Sequence, residues 1–152
     1  MTSILLALLF IQLTLAIGPA AGQVAIIVNK EAAVRDITKD ELKSVYFGEL
    51  QQWKDGDEIV LTDRKDNDVI AMKFYDDFLG RNQRKVRKLW LRKVLRGEIR
   101  PPESFNTDGG IIKFVAENKE AIGFVSAASV KNSVRVLSVN GKNPGNRAYE
   151  LK

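Results

Sequence analysis

The chain has 152 residues, 45% of them hydrophobic and 28% charged, which suits one globular domain with one core and excludes two full domains. It contains neither Cys nor His, which excludes disulfide staples, an N-terminal lipid on Cys, Ser-His-Asp and Cys-His nucleophile arrangements, and His- or Cys-ligated metal sites. With 24 Lys+Arg against 19 Asp+Glu the net charge is +5, a modest positive field that suits anionic ligands or an anionic membrane face.

Residues Ile4 to Ile17 form an apolar run interrupted only by Gln12 and Thr14. That is too short for a bilayer-spanning helix, which needs roughly 20 apolar residues. The small residues Gly18-Pro19-Ala20-Ala21-Gly22 follow, with Ala20 and Gly22 placed where signal peptidase requires small side chains. Residues 1–22 are therefore expected to be a signal peptide, which implies export to the periplasm. The alternative is an uncleaved anchor or a buried first helix, since no Lys or Arg precedes the run. An α/β domain is expected over residues 23–141, and a polar C-terminal tail, expected to fray, over 142–152.

Val24-Ala25-Ile26-Ile27-Val28 is a continuous apolar, β-branched run and reads as a strand buried on both faces. Thr38-Lys39-Asp40-Glu41 fits a capping box ahead of Leu42, Val45 and Tyr46 at helical spacing, with Gly48 as the stop. Past Trp53 and the turn Lys54-Asp55-Gly56-Asp57, a second strand is expected over Glu58–Thr62. The polar loop Asp63–Asp68 then opens a helix carrying Ile70, Phe74 and Phe78 up to Gly80.

From Arg81 to Arg96 the chain is strongly basic. Val86, Leu89, Trp90 and Val94 lie on one helical face, and Arg84, Lys85, Arg87, Lys88 and Arg92 lie largely off it, so the helix is amphipathic. Gly97 and Pro101-Pro102 close it. Asn106-Thr107-Asp108-Gly109-Gly110 precedes a short helix with a cap at Thr107 or Asp108. Strands are expected at Ala121–Val125 and Val134–Val139, with a turn at Asn140-Gly141. The large aromatics Trp53, Phe74, Phe78, Trp90 and Phe114 read as core. Strands alternating with helices predict a mostly parallel sheet with helices on both faces, whose ligands sit at the C-terminal strand ends.

Several features in this order carry a family resemblance: Val24 to Asn29, the helix ending Tyr46-Phe47-Gly48, Trp53-Lys54-Asp55-Gly56, Phe74-Tyr75, Leu89-Trp90, Gly97, Pro101-Pro102 and Ala121-Ile122-Gly123-Phe124-Val125. Over nearly all of the mature part the chain resembles the substrate-binding proteins of phosphate ABC transporters, and in particular a short, stand-alone subgroup of them. The resemblance implies a single lobe of a periplasmic-binding-protein-like α/β fold. It implies a non-enzymatic protein that holds an oxyanion such as phosphate at helix N-termini and Ser or Thr hydroxyls, with an Arg and an Asp completing the site. Full-length members close two lobes on the ligand, and carry a Ser-Gly-Thr-like turn where Asn67-Asp68-Val69 stands here.

Two segments are candidate ligand sites. In the loop from Thr62 to Asp68, Arg64 offers a bidentate fork, Thr62 a hydroxyl and Asn67 an amide, at a helix start whose N–H groups favour anions. Asp63, Asp66 and Asp68 oppose an anion there, and an ordinary capped helix start accounts for the same residues. The second segment is Asn106–Gly110, with Thr107 as the candidate side chain and a capped turn as the alternative. Thr62, Arg64, Asn67 and Thr107 are thus the expected ligand-binding residues. Glu58, Asp63 and Asp66 do not follow the spacing of a calcium loop, so no metal and no cofactor is expected. The basic helix is either a solvated face or a surface for acidic lipid headgroups or for a transporter or sensor component. Nucleic acid is not expected as a partner of an exported chain, despite the density of Arg and Lys.

Overall fold

The computed structural model describes residues 22–152, so the expected signal peptide lies outside the described residues except for Gly22. The run at Val24 forms β1 (Val24–Asn29), and all six of its residues are buried. Because successive strand side chains point to opposite faces, Val24, Ile26 and Val28 enter one apolar cluster while Ala25 and Ile27 enter another. After the short β2 (Asp36–Ile37) comes α1 (Lys39–Tyr46), started by the expected capping box. The Thr38 hydroxyl accepts from the Glu41 amide at 3.1 Å, and the Glu41 carboxylate accepts from the Thr38 amide at 2.9 Å.

The second expected strand is displaced: β3 spans Val60–Arg64 and not Glu58–Thr62. It runs on through Asp63 and Arg64 because both charged side chains find partners that let them stay buried, at 1% and 6% exposure. The next helix, α2 (Val69–Met72), widens into a π-helical stretch over Lys73–Leu79. It stops at Gly80, whose φ of 72° lies in the left-handed region that glycine enters without penalty. Then follow α3 (Gln83–Leu95), β4 (Glu103–Phe105), α4 (Asp108–Glu117) and β5 (Ala121–Ser126). The strand expected at Val134–Val139 divides in two. Leu137 turns into the core, β6 (Val134–Val136) stays on the main sheet, and β7 (Ser138–Val139) leaves to pair with β2.

The main sheet has the order β4-β3-β5-β1-β6. β4, β3 and β5 are mutually parallel, β1 runs against both its neighbours, and β6 therefore points the same way as β5. The sheet is mostly parallel, with β1 as the reversed strand. Helices cover both faces. On one, Leu42, Val45 and Tyr46 of α1, Phe74, Tyr75 and Phe78 of the π-helical stretch, and Val86 and Trp90 of α3 pack over Ile122 and Phe124. Phe74 stacks on Phe124 with centroids 4.1 Å apart and planes 12° apart, and the Trp90 indole N–H donates to the Tyr46 carbonyl at 2.7 Å. Trp53 and Phe114 are only partly buried against the two cores. The opposite face is closed by Ile111, Ile112 and Val115 of α4.

The segment 142–152 does not fray. Tyr149 and Leu151 are buried, the Tyr149 hydroxyl donates to the Val24 carbonyl at 2.7 Å, and the Val24 amide donates to the Leu151 carbonyl at 2.9 Å. Tyr149 and Leu151 seat this otherwise polar segment against β1, helped by the Gly145 amide donating to the Gln23 side chain at 2.7 Å and by the Lys39–Glu150 ion pair at 2.6 Å.

Gly123 fixes the spacing of α4 over β5. A Cβ there would come within 2.6 Å of the Ile111 side chain and 2.8 Å of the Thr62 hydroxyl. Gly123→Ala should lower stability by about 1–3 kcal/mol, the usual cost of overpacking a filled core, read as a reduced urea midpoint at unchanged m-value.

Candidate functional site

The carboxyl ends of β3 and β5 meet the N-termini of α2 and α4, the place where an open α/β sheet presents a ligand crevice. Alternation along β3 splits the last residues between the two faces. Thr62 and Arg64 point to the α4 side, and Leu61 and Asp63 to the side of α1, α2 and α3.

Each nitrogen of the Arg64 guanidinium meets a carboxylate of this same chain. Its Nε lies 3.1 and 3.0 Å from the two oxygens of Asp68, and its Nη1 donates to Asp108. Asp68 is also the N-cap of α2, accepting from the Ala71 amide at 2.9 Å, and Asp108 opens α4 while accepting from the Ser126 amide at 3.2 Å. Burial alone would push the Asp68 carboxyl up. The hydrogen bonds from Arg64 and the Ala71 amide, with the guanidinium charge, outweigh it and hold Asp68 below its ordinary value.

On the other side of β3, Asp63 accepts from the Tyr75 hydroxyl at 2.6 Å, from the Gln83 amide at 3.2 Å and from Arg87 Nε at 2.8 Å. Gln83 and Arg87 also donate to the Arg64 carbonyl, and Arg87 donates to the Lys65 carbonyl at 3.1 Å. Burial first, and then the charge of Asp63, push the Tyr75 phenol well above its ordinary value, so Tyr75 remains a hydrogen-bond donor. Arg87 thus belongs to a clamp on the end of β3, although its sequence position grouped it with the solvated band.

Of the four expected ligand residues, the fold brings Arg64 and Thr107 to one end of the sheet. Arg64 is cross-strand partner to Phe105, two residues before Thr107. The Thr107 hydroxyl caps α4 by accepting from the Gly110 amide at 3.1 Å, and Asn67 is exposed on the loop before α2. Thr62 is fully buried and donates to the Ile122 carbonyl at 2.9 Å, so it does not reach the crevice. A groove of about 760 Å³ runs between the end of α1 and the segment Ile99–Glu103, and none of the four lines it. Sequence reasoning missed Asp68 and Asp108 as the partners of Arg64. An available signal for Asp68 was its position directly before an apolar helical run with no Ser or Thr to cap it.

Residues 18–148 match the family model described as a PBP superfamily domain. The chain belongs to this PBP superfamily-domain family. It is 30% identical over 120 residues to the phosphate-binding protein PstS of Bacillus subtilis (strain 168), a match that covers 77% of this chain and 36% of that protein. Among solved structures it is similar to a putative phosphate ABC transporter substrate-binding protein with bound phosphate from Clostridium perfringens. There the TM-score is 0.64 at 25% identity, with 80% of this chain and 46% of the other covered. An ABC-type phosphate transport receptor from Vibrio cholerae has the same fold, with a TM-score of 0.61 at 22% identity over 80% of this chain and 48% of that one. This PBP-family chain spans less than half the length of these relatives.

Two outcomes follow for stability. Arg87→Met leaves the Asp63 carboxylate buried with only Tyr75 and Gln83 as donors, and should cost about 3 kcal/mol in chemical denaturation, the low end for breaking a buried pair because Arg87 is itself half-exposed. Asp68, with its folded pKa depressed, contributes stability that is complete above its unfolded pKa and is lost as pH falls through the folded one. The thermal midpoint should therefore drop on acidification below about pH 4. Asp68→Asn should flatten that limb without abolishing it, since Asp36, Glu41 and Glu150 are also held below their ordinary values.

Proposed function

We propose that this chain is a non-enzymatic periplasmic protein, exported by its N-terminal segment, that keeps the frame of the phosphate-binding family but works as an interaction module. The observation that carries this reading is the placement of Arg64 between Asp68 and Asp108. An oxyanion at the Arg64 fork would have to displace one carboxylate and then sit within a few ångströms of both. A single like-charge contact at 4 Å costs about 4 kcal/mol at an effective dielectric of 20. The guanidinium has little access to solvent from which to recruit a second anion, its side chain being 8% exposed. A docking partner in this setting is a transporter or sensor component or the membrane itself.

The second reading is a solute-binding role for phosphate or a related oxyanion, in association with ABC transport. It is favoured by the 30% identity to a protein named for phosphate binding. Calorimetric titration of the chain from Gln23 onward with phosphate and sulfate at low salt separates the two. The interaction-module reading expects no heat of binding up to millimolar oxyanion, and micromolar affinity would replace it with the solute-binding reading. Asp68→Ser keeps a helix cap while removing one of the two carboxylates paired with Arg64, and should raise oxyanion affinity at least tenfold.

A further inference from the structure

The exposed face of α3 carries six side chains that nothing in the described fold uses. Arg84, Lys88, Leu91 and Leu95 follow one another at spacings of four, three and four residues, a single line along the helix, with Lys85 and Arg92 beside them. All six are exposed. Leu91 and Leu95 are 59% and 78% accessible, large for leucines on a helix whose other face supplies buried Val86 and Trp90. No acidic residue occurs anywhere from Gln83 to Leu95. Among the described residues Arg84, Lys85, Lys88 and Arg92 form no ion pair, in contrast to Arg87, which is committed to Asp63.

We infer that this stripe is a docking surface for an anionic phospholipid bilayer, a step that rests on the interaction-module reading and names its partner. A second copy of the chain does not fit, because the stripe would meet its own charge. An acidic protein surface would need carboxylates fixed opposite four flexible cations, whose side chains each lose rotamer freedom on being held in one geometry. A fluid layer of anionic headgroups supplies phosphates wherever those side chains reach. The two leucines stand on a convex helix surface, not around a groove, which suits insertion at the headgroup boundary while the Arg and Lys stems lie along the interface with their charges at phosphate level. Trp90, the aromatic nearest the basic band in sequence, is buried against the sheet and takes no part.

The test is co-sedimentation of the chain from Gln23 onward, which contains every described strand and helix, with vesicles of phosphatidylglycerol mixed into phosphatidylcholine. Partitioning onto the anionic vesicles should fall at least tenfold on pure phosphatidylcholine, and similarly when salt is raised from 50 to about 500 mM. Leu91→Ser with Leu95→Ser should weaken it about tenfold, and Arg84→Glu with Lys88→Glu and Arg92→Glu should abolish it, with circular dichroism confirming that each variant is folded. Absence of sedimentation with anionic vesicles, or sedimentation that these variants leave unchanged, overturns the lipid assignment and, in the first case, leaves the stripe to an acidic protein. Micromolar phosphate binding in the separate titration removes the interaction-module reading instead, so the two failures are told apart.

Discussion

Because β1 and β5 lie inside the sheet with apolar side chains on both faces, neither strand is stable until a helical layer has closed over each side. The two layers are unlike. One is built from α1, the π-helical stretch and α3 around a cluster of aromatic rings, and the other from α4, drawn close by Gly123. Charged residues can enter such a sheet only where its strands run out. The end of β3 is where Asp63 and Arg64 do so, one toward each layer.

That pair of adjacent, oppositely directed charges organises the crevice end of the molecule. Asp63 ties β3 to the π-helical stretch and α3, through Tyr75, Gln83 and Arg87. Arg64 ties β3 to the starts of α2 and α4 through Asp68 and Asp108. Neutralisation is internal on both faces, which is how charges tolerate burial. The same geometry that would present an arginine to an anion in a binding protein here presents it to two carboxylates that also serve as helix starts. The Asp68 and Asp108 carboxylates therefore serve the ion pair and the helix starts together.

Much of this frame was legible in the sequence because it depends on near neighbours. The double-sided burial of Val24 to Val28, the Thr38–Glu41 box, the stop at Gly80 and the basic amphipathic helix each follow from residues within one or two turns or pleats. The site was less legible because its chemistry is decided by distant partners. Arg64 reads as a free fork until Asp108 arrives from forty-four residues away, and Thr62 reads as an available hydroxyl until the Ile122 carbonyl takes it. The strand end moved for the same reason, since a charged pair normally marks a loop unless tertiary partners bury it. The seating of Tyr149 and Leu151 was missed because a short apolar pair in a polar segment has no periodicity to announce it.

That last contact has a bearing on how the chain reaches its folded state. β1 leads the described chain, yet its partners are β5, β6 and the backbone of Leu151, so the first strand to leave any exit tunnel or membrane pore is the last to find its neighbours. Its interactions span nearly the whole described length, a topology in which loop-closure entropy delays the pairing of β1. A polypeptide emerging N-terminus first cannot complete its sheet until β6, which ends at Val136, is also out. Until then β1, buried on both faces in the finished fold, lacks the neighbour on one of its two edges.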